Sequence, residues 1–131
     1  MIYRTYGKAG NRTSALGFGG MRFTNPMDTD GEAAIVYHAF EKGITYFDTA
    51  PGYCRDQSEI IMGTAIREMK KDERPFTIST KSMLSDGSKL REELERSLRR
   101  LNVETIDYYH CWCLLTLDDW ERRKRGGAVA E

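Results

Sequence analysis

Residues 29–48, TDGEAAIVYHAFEKGITYFD, decide how this chain is to be read. Thr29 and Glu32 have the spacing of a capping box, in which two side chains satisfy the free amides of a first helical turn. Ile35, Val36, Ala39 and Phe40 follow at the spacing of one helical face. Gly43 is suited to the left-handed residue that commonly ends a helix. Ile44-Thr45-Tyr46-Phe47-Asp48 is then a β-rich run, stopped by Pro51 and Gly52. The stretch reads as one helix followed by one strand.

The unit recurs towards the carboxyl end. Asp56 and Glu59 are spaced to cap a second helix, with Ile60, Ile61, Ala65, Ile66 and Met69 as its apolar stripe. Pro75 precedes the strand Phe76-Thr77-Ile78-Ser79-Thr80-Lys81. Ser88 is placed to cap a third helix, with Leu90, Leu94, Leu98 and Leu101 on one face. Glu92 with Arg96 and Glu95 with Arg99 favour that helix, and Asn102 ends it. The next strand is Ile106–Trp112, followed by a polar helix from about Leu117 to Arg125 whose basic run, Arg122 to Arg125, reads as a solvated end.

Towards the amino end, residues 2–6 and 12–18 alternate apolar and polar around Gly7-Lys8-Ala9-Gly10-Asn11, which predicts a β-hairpin or at least two short strands. Gly17-Phe18-Gly19-Gly20 reads as a backbone-exposed loop. Helix and strand alternate from there on, so the chain is expected to be α/β with a parallel sheet. Two architectures fit: a doubly wound open sheet and a (β/α)8 barrel.

The 131 residues suit a single domain, 1–131, and 40% apolar with 31% charged residues is a globular mix. Twenty basic and twenty acidic residues cancel, which argues against nucleic acid and against a charged membrane surface. No apolar run approaches the ~18 residues needed to span a bilayer. The polar start, Met1–Tyr6, lacks the core of a signal peptide, and three cysteines suit a reducing compartment, so a cytoplasmic location is expected. Cys54, His110, Cys111 and Cys113 lack zinc-ligand spacing, and His110 has the opposite strand parity to the last two; no metal site is expected.

Parallel sheets bind ligands at the carboxyl ends of their strands. Three strands here end in Asp48, Lys81 and His110, with Tyr53 in the loop after the first. Alternation of side chains groups Asp48 with Tyr46, Lys81 with Ser79 and Thr77, and His110 with Tyr108 and Ile106. The opposite parity carries Phe47, Phe76 and Ile78, suited to packing under helices, with Asp107 as the exception. One register aims a carboxylate, an ammonium and an imidazole into one cavity beside a phenol. A phenol is a weak acid, and an adjacent ammonium favours its anion. The set suits proton donation to a carbonyl held by His110, with a hydride from a cofactor, because no side chain supplies one.

Gly17-Phe18-Gly19-Gly20-Met21-Arg22, Phe47-Asp48-Thr49-Ala50-Pro51-Gly52-Tyr53, Ser79-Thr80-Lys81, Ser97-Leu98-Arg99-Arg100-Leu101 and Ile106-Asp107-Tyr108-Tyr109-His110 together resemble the aldo-keto reductases over roughly residues 1–125. The resemblance implies the first half of a (β/α)8 TIM barrel, its amino-terminal hairpin plugging the bottom. It implies reduction of aldehydes or ketones, or the reverse oxidation, with NADP(H) or alternatively NAD(H), and no metal. By position, Tyr53 is implied as proton donor, tuned by Lys81 and Asp48, with His110 orienting a small-molecule carbonyl substrate. Gly19, Gly20, Met21 and Asp48 are implied along the nicotinamide end. The chain departs from the family at Cys111-Trp112-Cys113, and it is short of the ~250 residues of a full barrel. A half-barrel with open sheet edges is expected to form homo-oligomers, unless it is a remnant of a longer enzyme. The alternative to a reductase is a non-catalytic association module.

Overall fold

A computed structural model describes residues 1–8 and 10–130; Ala9, in the predicted hairpin turn, and Glu131 lie outside the described residues. Strands β1 (Tyr3–Tyr6) and β2 (Asn11–Ser14) pair antiparallel as the predicted hairpin. Four further strands form one parallel sheet in the order β3-β4-β5-β6. These are β3 (Phe18–Gly19), β4 (Tyr46–Asp48), β5 (Thr77–Ser82) and β6 (Tyr108–Cys111). The stretch 17–20 is therefore not all loop: Phe18 and Gly19 pair with Phe47 and Asp48 as the first parallel strand. A two-residue strand with a single aromatic carries too little alternation to be read as one.

Helices α1 (Thr29–Glu41), α2 (Ser58–Met69) and α3 (Gly87–Leu101) connect the strands, and α4 (Leu117–Arg125) follows β6. A doubly wound sheet reverses its strand order and splits its helices between two faces. Here the strands follow chain order, α1 packs on α2, and α2 packs on α3. That is the winding of a barrel wall.

The core lies between this wall and the helices. Phe47 and Ile78 meet Val36, Phe40, Ile61, Met62, Ile66, Met69 and Leu101, all at most 1% exposed. Each such side chain contributes roughly 1.5–3 kcal/mol on leaving water. Ile35, expected in the stripe of α1, is 52% exposed. The buried apolar stripe of α1 is Ala33, Val36 and Phe40 instead, spaced three and four residues apart. Gly63 lets α2 and α3 close up, since a Cβ there would lie 1.9 Å from the Arg100 carbonyl oxygen.

The helix starts differ from expectation in a consistent way. Asp28, not Thr29, caps α1 by accepting from the Gly31 amide, and Asp86, not Ser88, caps α3 by accepting from Lys89. A carboxylate adds charge–dipole attraction to the hydrogen bond that a hydroxyl offers. Glu32 turns inward to accept from the Asn25 amide instead of closing a capping box. At α2 the cap position is Gln57, with no side-chain cap, because Asp56 and Glu59 are engaged elsewhere. Asn102 ends α3 in the left-handed conformation, and α4 has a full capping box between Thr116 and Asp119.

The hairpin docks at the amino ends of the sheet. Tyr6 packs against Tyr46 and Tyr108, the first residues of β4 and β6, at 5.7 and 4.9 Å. Tyr3 donates to the Gly43 carbonyl, and Ser14 and Thr45 exchange two hydrogen bonds of 2.9 Å. The opposite, carboxyl end is left to the site. Among the described residues no helix is long and apolar enough to cross a membrane.

Candidate active site

Register brings the first pair together. Asp48 lies beside Ser79, and Lys81 is one pleat further along the same face of β5. The Lys81 ammonium donates to Asp48 Oδ2 at 2.6 Å, and the Ser79 hydroxyl donates to Oδ1 at 2.7 Å. Both carboxylate oxygens are thus occupied. The Lys81 side chain is 11% exposed and that of Asp48 31%, so the ammonium is largely shielded while the carboxylate keeps partial access to solvent.

Tyr53 completes the group. It sits in the loop between β4 and α2, with the Lys81 ammonium 5.2 Å from its ring centre. That loop turns back through three consecutive left-handed residues, Cys54, Arg55 and Asp56, at φ 53, 57 and 69°. The Cys54 thiol leans on the Gly20 and Met21 carbonyl oxygens at 3.5 and 3.3 Å. His110 pairs in register with Lys81 on the neighbouring strand, half-buried. Lys81 therefore stands between Asp48, to which it is hydrogen-bonded, and the Tyr53 ring, and His110 lies one strand away at the same level.

The glycine loop enters the same end. Gly19 pairs with Asp48, and a Cβ at Gly19 would meet nothing within 4 Å, which leaves open space beside the carboxylate. Gly20 is the reverse case: a Cβ there would lie 2.5 Å from Ser58 Oγ. Ser58 donates to the Gly20 carbonyl at 2.8 Å and is 2.7 Å from the Thr49 hydroxyl, so the start of α2 fixes the loop. Met21 is 49% exposed at its rim.

A sequence profile of the Aldo/keto reductase family matches residues 15–116. The chain belongs to the aldo-keto reductase family. It is 33% identical over 117 residues to probable aldo-keto reductase 1 of Glycine max, covering 79% of this chain and 34% of that protein. It is 30% identical to L-galactose dehydrogenase of Arabidopsis thaliana, covering 82% of this chain and 37% of that one. Among solved structures, a putative aldo-keto reductase from Pseudomonas aeruginosa superposes with a TM-score of 0.77 at 26% identity, over 98% of this chain and 54% of the other. The chain thus spans about a third of these curated relatives, and its fold is a partial aldo-keto reductase barrel.

Within that barrel wall several residues matter to which the sequence assigned no role in the site. Trp112, just past β6, meets the Tyr53 ring edge-to-face at 5.5 Å. Its parity with His110 was the available signal. Ser79, the anchor of Asp48, shared parity with Lys81 in the same way. Arg123 offered no such clue. It belongs to the basic run expected to be solvated, yet it is 3% exposed. Its guanidinium donates to the carbonyl oxygens of Ser82, Leu84 and Trp112, tying α4 to the carboxyl ends of β5 and β6. Asp107, the exception in strand parity, accepts from the Ile78 amide at 2.8 Å and so serves the sheet edge.

Proposed function

We propose that this chain carries the proton-donating half of a carbonyl reductase that uses a nicotinamide cofactor, NADP(H) or alternatively NAD(H). The observation that carries the reading is the Lys81 ammonium, hydrogen-bonded to Asp48 at 2.6 Å and standing 5.2 Å from the Tyr53 ring. The open space over Gly19, beside Asp48, fits the flat nicotinamide end of such a cofactor, with Gly20 and Met21 along its edge. When bound, the cofactor supplies the hydride that the carbonyl carbon receives.

The rest falls to the chain's own residues. The Tyr53 hydroxyl gives its proton to the carbonyl oxygen as the carbon–oxygen π bond opens, leaving an alcohol. The Lys81 ammonium stabilises the negative charge that remains on the phenol oxygen. Asp48 holds the ammonium, and Ser79 holds Asp48. A ring N–H of His110 orients the carbonyl oxygen. The small-molecule substrate is an aldehyde or ketone. The free thiols of Cys54, Cys111 and Cys113 support a reducing, cytoplasmic setting.

Replacing Tyr53 by Phe keeps the ring and removes the proton. Carbonyl reduction is expected to fall by at least ~10²-fold, the usual contribution of a positioned acid. Full activity in Tyr53→Phe, measured as nicotinamide oxidation across a panel of aldehydes and ketones, would overturn the mechanism.

A second reading is favoured by the outer edge of β6, which has no strand partner among the described residues, and by Leu115 and Leu117, 85% and 84% exposed. In that reading the half-barrel is an association module, completed by a second copy of the chain. Absence of fluorescence quenching with NADPH or NADH would favour it over the reductase.

A further inference from the structure

The loop that carries Tyr53 is closed on itself and fastened to α3 by a single carboxylate. Asp56 Oδ1 accepts from the Gly52 amide at 3.2 Å, which closes a ring of five residues with Tyr53 second in it. Both Asp56 oxygens also accept from Arg100, Oδ1 from Nη1 and Oδ2 from Nη2, each at 2.6 Å. This is the forked arrangement that fixes direction as well as distance. Arg100 is itself held in place: its backbone carbonyl lies under Gly63 of α2, and its Nη1 stands 3.7 Å from the buried Glu59 carboxylate.

The loop needs such a fastening. Cys54, Arg55 and Asp56 are all left-handed without being glycine. Each such residue costs roughly 1–2 kcal/mol, and the conformation persists only where surrounding contacts impose it. The Cys54 thiol offers two weak contacts to the glycine loop; the forked ion pair is the strong one. The reversal it imposes sets where the Tyr53 ring falls, beside both Lys81 and Trp112.

We infer that Asp56 and Arg100 are positioning residues, a clasp that holds the Tyr53 ring at Lys81. The inference rests on the assignment of Tyr53 as proton donor, but the contact it predicts exists whether or not the chain turns over substrate. Neither residue touches the reacting atoms.

Three variants separate a clasp from a structural ion pair. Asp56→Gly removes the carboxylate and also relieves the left-handed strain at that position. Asp56→Asn keeps the shape and removes the charge, and Arg100→Gln removes the partner. In all three, kcat is expected to fall by about 10-fold or more while KM stays within about twofold, as a misplaced catalytic group costs rate and not binding. Arg100→Lys, which keeps a charge and one hydrogen bond, is expected to recover part of the loss. The second readout is the nuclear Overhauser contact between the Tyr53 and Trp112 rings in isotope-labelled protein. It should be present in the parent chain and weakened in Asp56→Gly and Arg100→Gln, with core methyl signals of Ile61, Ile66 and Ile78 unmoved. Asp56→Gly with parental kcat and an intact ring contact would overturn the clasp. A parent chain without reductase activity would sink the proton-donor reading alone; the ring contact would still decide the clasp, its retention in both variants refuting it.

Discussion

Strands β5 and β6 lie side by side, yet the more polar of the two is the more buried. All six residues of β5, Thr77-Ile78-Ser79-Thr80-Lys81-Ser82, are buried, and five of them are polar. Strand β6, Tyr108-Tyr109-His110-Cys111, is half-buried and ends exposed. The difference is position. β5 has a strand on each side and α3 packed against it, while β6 has one strand neighbour. Burial of β5 is tolerated because Ser79 and Lys81 are matched on Asp48, Thr80 on Glu59, and Ser82 accepts from the Leu84 amide. A site is thereby built on a strand whose neighbours are all in this chain, and His110 is offered from a strand whose outer edge is open.

The sharpest way to break this contrast is to truncate each strand. Ile78, the one apolar side chain of β5, is 1% exposed, and Ile78→Ala is expected to cost about 2–5 kcal/mol. Cys111→Ala on the exposed end of β6 should stay within about 0.5 kcal/mol. Urea unfolding of the two variants measures both. A loss under about 1 kcal/mol at Ile78 would mean that β5 is no more central than its neighbour.

The same contrast explains what the sequence made legible. Helix-strand alternation and side-chain parity were enough for α1 to α4, for β4 to β6, and for bringing Asp48 to Lys81, because those signals are local and periodic. The strand order, which separates a barrel wall from an open doubly wound sheet, depends on which strands pair and leaves no trace in either period. β3 was too short to show alternation. Arg123 and the pairing of Asp56 with Arg100 are long-range: 41 residues separate Arg123 from Ser82, and 44 separate Arg100 from Asp56. A basic run and a cap-like Asp-x-x-Glu spacing each had a simpler local meaning, and tertiary contacts claimed them instead.

A smaller effect tests the matching on the helix-facing side of β5. Glu59 is 1% exposed, with Oε1 accepting from Thr80 at 2.9 Å and Oε2 facing the Arg100 guanidinium at 3.7 Å without a hydrogen bond of full geometry. Burial pushes its carboxyl above the usual carboxylate range, against the opposing pull of Ser97, Thr80 and Arg100. A carboxyl raised in the folded state adds stability below its unfolded pKa and loses it as pH rises through the folded one. Glu59→Gln cannot lose a proton. Relative to the parent chain it is therefore expected to gain stability between about pH 4 and pH 7. Unfolding midpoints of both proteins at the two pH values give the difference, and a difference that shrinks with pH would show Glu59 to be stabilised as an anion, by Ser97 first and by Thr80 and Arg100 after it.

The smallest effect lies on β6. The Tyr109 hydroxyl is buried with no hydrogen bond of full geometry, and burial, aided by the charge of Glu93 and opposed by the Ser82 hydroxyl nearby, pushes the phenol up to about 12. A buried donor left unmatched is a cost that deletion of the group removes. Tyr109→Phe is therefore expected to be neutral or to stabilise by up to about 1 kcal/mol at neutral pH, unlike any truncation in β5. The sign with pH is also fixed. The raised phenol favours folding below its ordinary value near 10, and that contribution fades as pH rises towards 12, so the parent chain should lose ground to Tyr109→Phe over that interval. Urea midpoints across the alkaline range test both parts. A loss of more than about 1 kcal/mol in Tyr109→Phe at neutral pH would mean that the hydroxyl has a partner, and that β6 is matched as closely as the strand beside it.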